Sequence, residues 1–163
     1  MPRTGRIPKR QTIPDPIFSN LLVTKLINNV MVDGKKSLAE RIVYRAFKKI
    51  ERETDKNPVL VFEDAVKAVT PKAEVRPRRV GGATYMVPLE VRGDRAKSLA
   101  VKWIVAAARG RSAKEHLNAK LVMAEKLAAE ILAAATSSGG AMTKKSQIEK
   151  QAEANKAFSH FRW

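Results

Sequence analysis

Two short extended runs meet at a pair of adjacent glycines, and this feature constrains the fold most. Gly81 and Gly82 stand between β-forming residues, and a tight hairpin turn requires the positive φ that glycine tolerates at both central positions. Pro77 and Pro88 have no N–H to donate, so neither run can be a central strand of a larger sheet. The sequence therefore predicts a two-stranded β-hairpin arm over residues 73–91.

The first run of this hairpin is strongly basic, with Arg76, Arg78 and Arg79. One interpretation is an edge strand that charge protects against unwanted pairing. However, the basic residues continue beyond the hairpin through Arg92, Arg95, Lys97 and Lys102. Protection of an edge does not need that continuation, so we favour contact with nucleic acid.

Charge is concentrated in two regions of a chain whose net formal charge is +16. Residues 72–114 contain eleven basic and three acidic residues, and residues 1–14 contain four basic and no acidic ones, which are Arg3, Arg6, Lys9 and Arg10. So large an excess opposes compaction, which indicates a polyanionic partner. The proline-rich residues 1–16 are either an extended basic arm that lies along phosphates or a solvated, disordered tail.

Helical spacing of apolar residues predicts three helices before the hairpin, over about residues 19–33, 37–53 and 58–69. Ser37 with Glu40 has the pattern of a capping box, and Asn57 before Pro58 is a favourable helix start. After the hairpin the same spacing predicts helices over about residues 94–110, 112–135 and 144–156. The fold class is therefore mainly α, a six-helix bundle with an inserted two-stranded β-hairpin arm, in one domain over residues 1–163.

Five local features are also expected. Asp94 is the expected N-cap of the fourth helix, a second capping box is expected at Ser112–Glu115, and residues 136–140 are expected to form a flexible loop. Trp103 shares the apolar face of the fourth helix and is expected in the core. In the tail over residues 157–163, we expect three aromatic residues to anchor the C-terminus onto the body or a partner: Phe158, Phe161 and Trp163.

No arrangement of residues in the sequence indicates catalysis or a bound metal or cofactor. There is no cysteine, and the two histidines, His116 and His160, lie 44 positions apart without a carboxylate at a triad spacing. Gly81-Gly82 lacks the Gly-Lys-Ser/Thr that would follow in a phosphate-binding loop. No apolar run approaches the ~20 residues that a membrane span needs. We therefore expect neither an enzyme nor a membrane protein.

Two further sites are candidates for contact with nucleic acid. Arg109 and Arg111 flank a tight turn between helices; this could be a helix-turn-helix, but the alanine-rich helix that follows favours phosphate contacts at a junction. Beyond the hairpin turn, Tyr85 and Met86 are exposed candidates, and Tyr85 either stacks on a base or packs against the opposite strand.

Several long motifs resemble a known family over the whole chain. They are Met31–Lys36, Ile42–Tyr44, Arg78–Tyr85, Trp103–Val105, Ala107–Arg109, Ala152–Phe158 and Arg162-Trp163. With these motifs the chain resembles the bacterial form of small-subunit ribosomal protein seven, the universal uS-seven family. The resemblance implies a helical body with a β-hairpin arm, as the residues themselves indicate.

The resemblance also implies a structural role in translation within the small (30S) ribosomal subunit, in the cytoplasm or in a bacterial-type organelle ribosome. Members bind the 3′ major (head) domain of small-subunit rRNA, nucleate head assembly, and neighbour other proteins of the head and platform. Carried over to this chain, the positions expected on rRNA are Arg3, Arg6, Lys9, Arg10, Lys35, Lys36, Arg76, Arg78, Arg79, Arg92, Arg95, Arg109 and Arg111. Those expected near E-site tRNA and the mRNA exit path are Gly81, Gly82, Tyr85 and Met86.

Two rival functions follow from the same residues. A DNA architectural protein would wrap a β-arm around the minor groove, although it would usually need an apolar dimer face. An RNA-modifying enzyme would need a cofactor loop or a catalytic constellation.

Overall fold

The computed structural model describes residues 5, 12–112 and 122–161. Helices dominate it and one hairpin interrupts them, which confirms the predicted fold class. The elements are α1 (Leu21–Val30), α2 (Lys36–Thr54), α3 (Pro58–Val69), β1 (Ala73–Val80), β2 (Ala83–Glu90), α4 (Gly93–Gly110), α5 (Val122–Ala135), α6 (Gly139–Ala154) and a C-terminal 3₁₀ helix (Lys156–Phe161).

The helices share one cluster of buried apolar side chains, to which α1 through α6 all contribute. At its centre the ring of Phe47 lies 5.2 Å from that of Phe18 and 5.8 Å from that of Phe62, measured between centroids. These tilted and edge-on pairs are favourable aromatic geometries. Trp103 is half-buried against the cluster rather than inside it, so the prediction of a core tryptophan was only partly right.

The hairpin forms as predicted. β1 and β2 pair antiparallel, with Val80 opposite Ala83, and the turn glycines Gly81 and Gly82 have φ of +57° and +88°. Two positive φ values in a two-residue loop match the right-handed twist of the flanking strands. The ribbon is not isolated, because β1 packs on α6 and β2 on the C-terminal 3₁₀ helix. That support stabilises a two-stranded ribbon that would be marginal alone.

Two predicted helix caps are wrong. Ser37 lies inside the first turn of α2, whose N-cap is Lys35, and no side chain caps that end. The chain turns through positive φ at Asp33 and Gly34, and α2 begins two residues earlier than it would with Ser37 as its N-cap. Asp94 likewise lies within the first turn of α4, behind the N-cap Arg92. A carboxylate there still complements the positive end of the helix dipole.

Other boundaries were predicted with mixed success. The Asn57 side chain accepts a hydrogen bond from the Val59 N–H at 3.0 Å, as predicted for the start of α3. In contrast, α6 begins at Gly139, five residues before the predicted 144. The expected flexible loop is therefore a short connection between α5 and α6. In the first turn of α6, the N–H of Ala141 donates to the carboxylate of Glu130 at 2.9 Å. The second expected capping box includes residues 113–115, which lie outside the described residues. His116 and Trp163 also lie outside them.

Candidate nucleic-acid interface

Strand β1 of the hairpin presents two uncommitted guanidinium groups. Arg78 and Arg79 are exposed, and neither side chain makes a hydrogen bond or ion pair with another residue of the described part of the chain. Because successive strand residues point to opposite faces, the two groups lie on both faces of the ribbon. The narrow ribbon can therefore reach phosphates on either side.

At the base of the ribbon a nearly buried carboxylate joins β1 to α4. Glu74, whose side chain is 12% exposed, accepts hydrogen bonds from Nε of Arg76 at 2.6 Å and from Nε of Arg95 at 3.0 Å. Burial tends to raise the pKa of Glu74, but the hydrogen bonds from Arg95 and Arg76 outweigh it and the pKa is lowered. The carboxylate in turn raises the pKa of Arg95. The Glu74 carboxylate thus brings together Arg76 and Arg95, two of the predicted site residues.

The start of α4 extends this cationic surface. Arg92, Lys97 and Lys102 are exposed. The N–H of Val91 donates to the carbonyl of Lys72 at 3.2 Å, which fixes the start of α4 beside the start of β1. We use the name basic face for the exposed surface of these two elements that carries Arg76, Arg78, Arg79, Arg92 and Arg95, and it includes both sides of the ribbon.

Arg109 and Arg111 make contacts within the protein. Nη2 of Arg109 donates to the carbonyls of Asn29 at 3.1 Å and Val30 at 3.3 Å, at the C-terminal end of α1, where carbonyls lack helical partners. Nε of Arg111 lies 2.6 Å from Oε2 of the buried Glu130. Both arginines therefore hold helices together, and their contact with phosphate stays a prediction.

Lys35 and Arg109 lie beside the same small cavity. Its volume is about 270 Å³, and the exposed Leu38 also lines it. Lys36 is exposed, and its Nζ lies 3.9 Å from Oε1 of Glu40, too far for a strong ion pair. The remaining predicted basic residues, Arg3, Arg6, Lys9 and Arg10, lie outside the described residues.

Near the tip of the hairpin, Tyr85 packs on the C-terminal 3₁₀ helix, a contact that neither interpretation included, and its stacking on a base stays a prediction. Its half-buried ring lies 5.2 Å from that of Phe158 and 5.3 Å from that of Phe161, measured between centroids. The two phenylalanines thus anchor the C-terminal 3₁₀ helix onto β2, which confirms that they anchor the C-terminus. Met86 remains exposed, at 38%.

Comparison with known proteins identifies the family of this chain. The family model described as ribosomal protein S7p/S5e matches residues 2–156. The chain belongs to this family. Proteins named small ribosomal subunit protein uS7 are 58% identical in Carboxydothermus hydrogenoformans and 55% identical in both Moorella thermoacetica and Caldanaerobacter subterraneus, each over 100% of both chains. As a ribosomal protein of the S7p/S5e family, the chain is a structural, non-enzymatic constituent of the small subunit in translation.

A second basic region of this S7p/S5e family member was missed in the sequence. Four residues of α2 line a cavity of about 370 Å³ beside Glu125 of α5; they are Arg45, Lys48, Lys49 and Arg52. Their spacing of three and four positions places them on one helix face, a signal that the sequence did contain. Glu74 was also missed, because its importance depends on Arg95, which is distant in sequence.

The described residues of this S7p/S5e protein hold no group of three or more His, Cys, Asp or Glu residues placed to bind a metal ion. None of their helices is long and apolar enough to cross a membrane.

Proposed function

We propose that this protein binds the 3′ major (head) domain of small-subunit rRNA and nucleates assembly of the head, with residues 1–163 acting as one unit. The observation that supports this most is the pair of exposed, uncommitted guanidinium groups of Arg78 and Arg79 on a narrow, supported ribbon. Double-helical RNA offers side chains a deep, narrow major groove that they cannot read, so recognition depends largely on shape and phosphates. A rigid body with a thin cationic arm suits a folded RNA junction.

The mechanism is electrostatic and geometric. The basic face neutralises phosphates and releases their counterions, and each contact contributes to the salt dependence of affinity. Two contacts fix the distance between the ribbon and the start of α4: Arg95 donates to Glu74, and the N–H of Val91 donates to the carbonyl of Lys72. Phosphates held at both places select one RNA arrangement among several.

The end of the hairpin is assigned to E-site tRNA and the mRNA exit path in the same proposal. Gly81, Gly82 and Met86 are exposed there, while the ring of Tyr85 is occupied by the C-terminal phenylalanines. Contact by Tyr85 would therefore use its edge or hydroxyl rather than a free ring face. Other head and platform proteins are the remaining proposed partners.

Competition binding tests the proposal. Labelled head-domain rRNA is bound at several salt concentrations and competed with generic duplex DNA, and we expect the rRNA to bind far more tightly. Replacing Arg78 and Arg79 by alanine should flatten the slope of log K against log salt by about 1.4–1.8, at 0.7–0.9 per lost contact. Alanine at the exposed Lys56 and Lys150 changes the charge equally and should leave the slope almost unchanged.

Equal or tighter binding to duplex DNA would overturn the proposal and favour a DNA architectural protein. An unchanged slope for the arginine variant would remove the hairpin from the interface.

A further inference from the structure

An acid at the centre of a polyanion-binding surface requires a physical reason. Glu74 lies between two arginines of the basic face, and its negative charge should repel any phosphate that approaches them. Its side chain is only 12% exposed, so it is not simply a solubilising surface carboxylate. The repulsion between Glu74 and phosphate must therefore be offset by a favourable effect of Glu74 on the two arginines.

The geometry shows what the carboxylate does. Arg76 meets Glu74 through Nε and Nη2, each 2.6 Å from Oε1. Arg95 meets it through Nε, 3.0 Å from both oxygens, and Nη2, 2.9 Å from Oε2. Because a guanidinium is planar, using this edge turns its opposite edge away from the carboxylate. The two side chains remain 48% and 51% exposed, so about half of each stays accessible to a ligand.

We propose that Glu74 is a positioning residue that holds Arg76 and Arg95, from two different elements, as a preformed two-guanidinium fork for a phosphodiester group of RNA. The inference rests on the proposed function and specifies how the basic face binds a phosphate group of the RNA. Free arginine side chains lose much rotamer freedom when they bind, and Glu74 removes that freedom beforehand. The cluster keeps one net positive charge and several unused N–H donors for phosphate oxygens.

A positioning role and a simple charge effect predict opposite changes in RNA affinity for the substitution Glu74→Gln. Glu74→Gln removes a negative charge from the binding surface, so charge alone predicts tighter binding to RNA. Loss of the charge-assisted hydrogen bonds frees both guanidinium groups, so positioning predicts weaker binding although the protein becomes more positive. Glu90→Gln is the matched control, since Glu90 is an exposed acid near the end of β2, opposite Ala73 in the ladder.

Affinity for head-domain rRNA is measured for both variants at one salt concentration. We expect Glu74→Gln to weaken binding by roughly tenfold, the loss expected when two rotamer-rich side chains are no longer fixed. Glu90→Gln should bind as tightly as the natural protein or slightly more tightly. If Glu74→Gln binds as tightly as Glu90→Gln, the positioning role is wrong.

A second variant keeps the proposal testable if Glu74→Gln disturbs folding. Arg95→Lys keeps the charge but cannot make the two-pronged contact, so it should also weaken rRNA binding several-fold while circular dichroism stays unchanged. Binding by Arg95→Lys equal to that of the natural protein would contradict the fork.

The fork can also be observed without head-domain rRNA. In ¹⁵N NMR of the free protein, the Nε–H signals of Arg76 and Arg95 should exchange slowly with water and lose that protection in Glu74→Gln. Titration with a short single-stranded RNA oligonucleotide should shift both signals. If the two Nε–H signals shift while head-domain rRNA fails to bind, only the proposed function is wrong. If neither signal is protected or shifted, the proposed fork is wrong.

Discussion

Nε of Arg111 lies 2.6 Å from Oε2 of Glu130, a side chain that is only 1% exposed. The other oxygen of that carboxylate accepts a hydrogen bond from the N–H of Ala141 at 2.9 Å. One buried acid therefore connects the residue after α4 to the first turn of α6. Both of its oxygens have partners, as a buried charge requires.

Removing Arg111 should be strongly destabilising. In Arg111→Ala the Glu130 carboxylate stays buried without its counter-charge, and we expect the free energy of unfolding to fall by about 3 kcal/mol. Urea denaturation followed by circular dichroism measures this. Lys97→Ala, at an exposed position of α4, should change stability by less than about 0.5 kcal/mol. Equal effects of the two substitutions would mean that the buried pair does not stabilise the fold.

A methyl group at Gly139 should disrupt the same corner. Gly139 has φ of +90°, and a Cβ there would lie 2.9 Å from Oε1 of Glu130 and 3.0 Å from Cβ of Ala133. Gly82 has nearly the same φ, +88°, with nothing within 4 Å of a Cβ, so Gly82→Ala carries the backbone strain alone. We expect thermal unfolding to show a lower melting temperature for Gly139→Ala than for Gly82→Ala. Matching melting temperatures would mean that the crowding around Glu130 relaxes freely.

Tyr44 should retain its proton in strong base. Burial, together with a 2.8 Å hydrogen bond that its hydroxyl donates to Oδ1 of Asp15, raises the pKa of Tyr44 to about 12. Phenolate absorbance in a Tyr85→Phe background, where Tyr44 is the remaining tyrosine, should show a midpoint near 12 in the folded protein and about 10 in urea. A midpoint near 10 in the folded protein would contradict this part-buried hydrogen bond.

The same titration sets a pH dependence of stability. Below about pH 10 both the folded and the unfolded state keep the proton, so this contribution to stability is complete. Between about pH 10 and 12 the unfolded state releases the proton while the folded state retains it, so the free energy of unfolding falls as pH rises. Tyr44→Phe should lack this part of the decline.

The C-terminal phenylalanines should hold the hairpin in place. Phe158→Ala removes one of two rings packed on Tyr85, and such aromatic pairs contribute about 0.5–1.5 kcal/mol beyond area burial. Amide hydrogen exchange in β2 should therefore become roughly five- to tenfold faster, whereas the amides of α2 and α3 should be unchanged. Met86→Ala, at an exposed position of the same strand, is the control. Unchanged exchange in β2 would show that the hairpin does not depend on the C-terminal helix.

Local chemistry made much of the fold predictable. The Gly81-Gly82 turn, the prolines of the two strands and the Asn57 cap act through neighbours in sequence, and the structure confirms each of them. The apolar spacing of the helices likewise predicted which faces are buried.

The features that were missed depend on residues far apart in sequence. At the early start of α6 the N–H of Ala141 donates to the Glu130 carboxylate, eleven positions before it, and no local pattern indicates that contact. Arg109 and Arg111 looked identical as basic residues at a turn, yet one binds carbonyls of α1 and the other a buried acid. Partner choice for such long side chains is decided by tertiary packing.

Hydroxyl-radical footprinting on naked small-subunit rRNA tests the central claim most directly. We predict protection concentrated in the 3′ major domain. The variant with alanine at positions 78 and 79 should lose a discrete subset of those protections while the rest persist. Protection outside that domain, or a footprint that both arginine substitutions leave unchanged, would contradict the account.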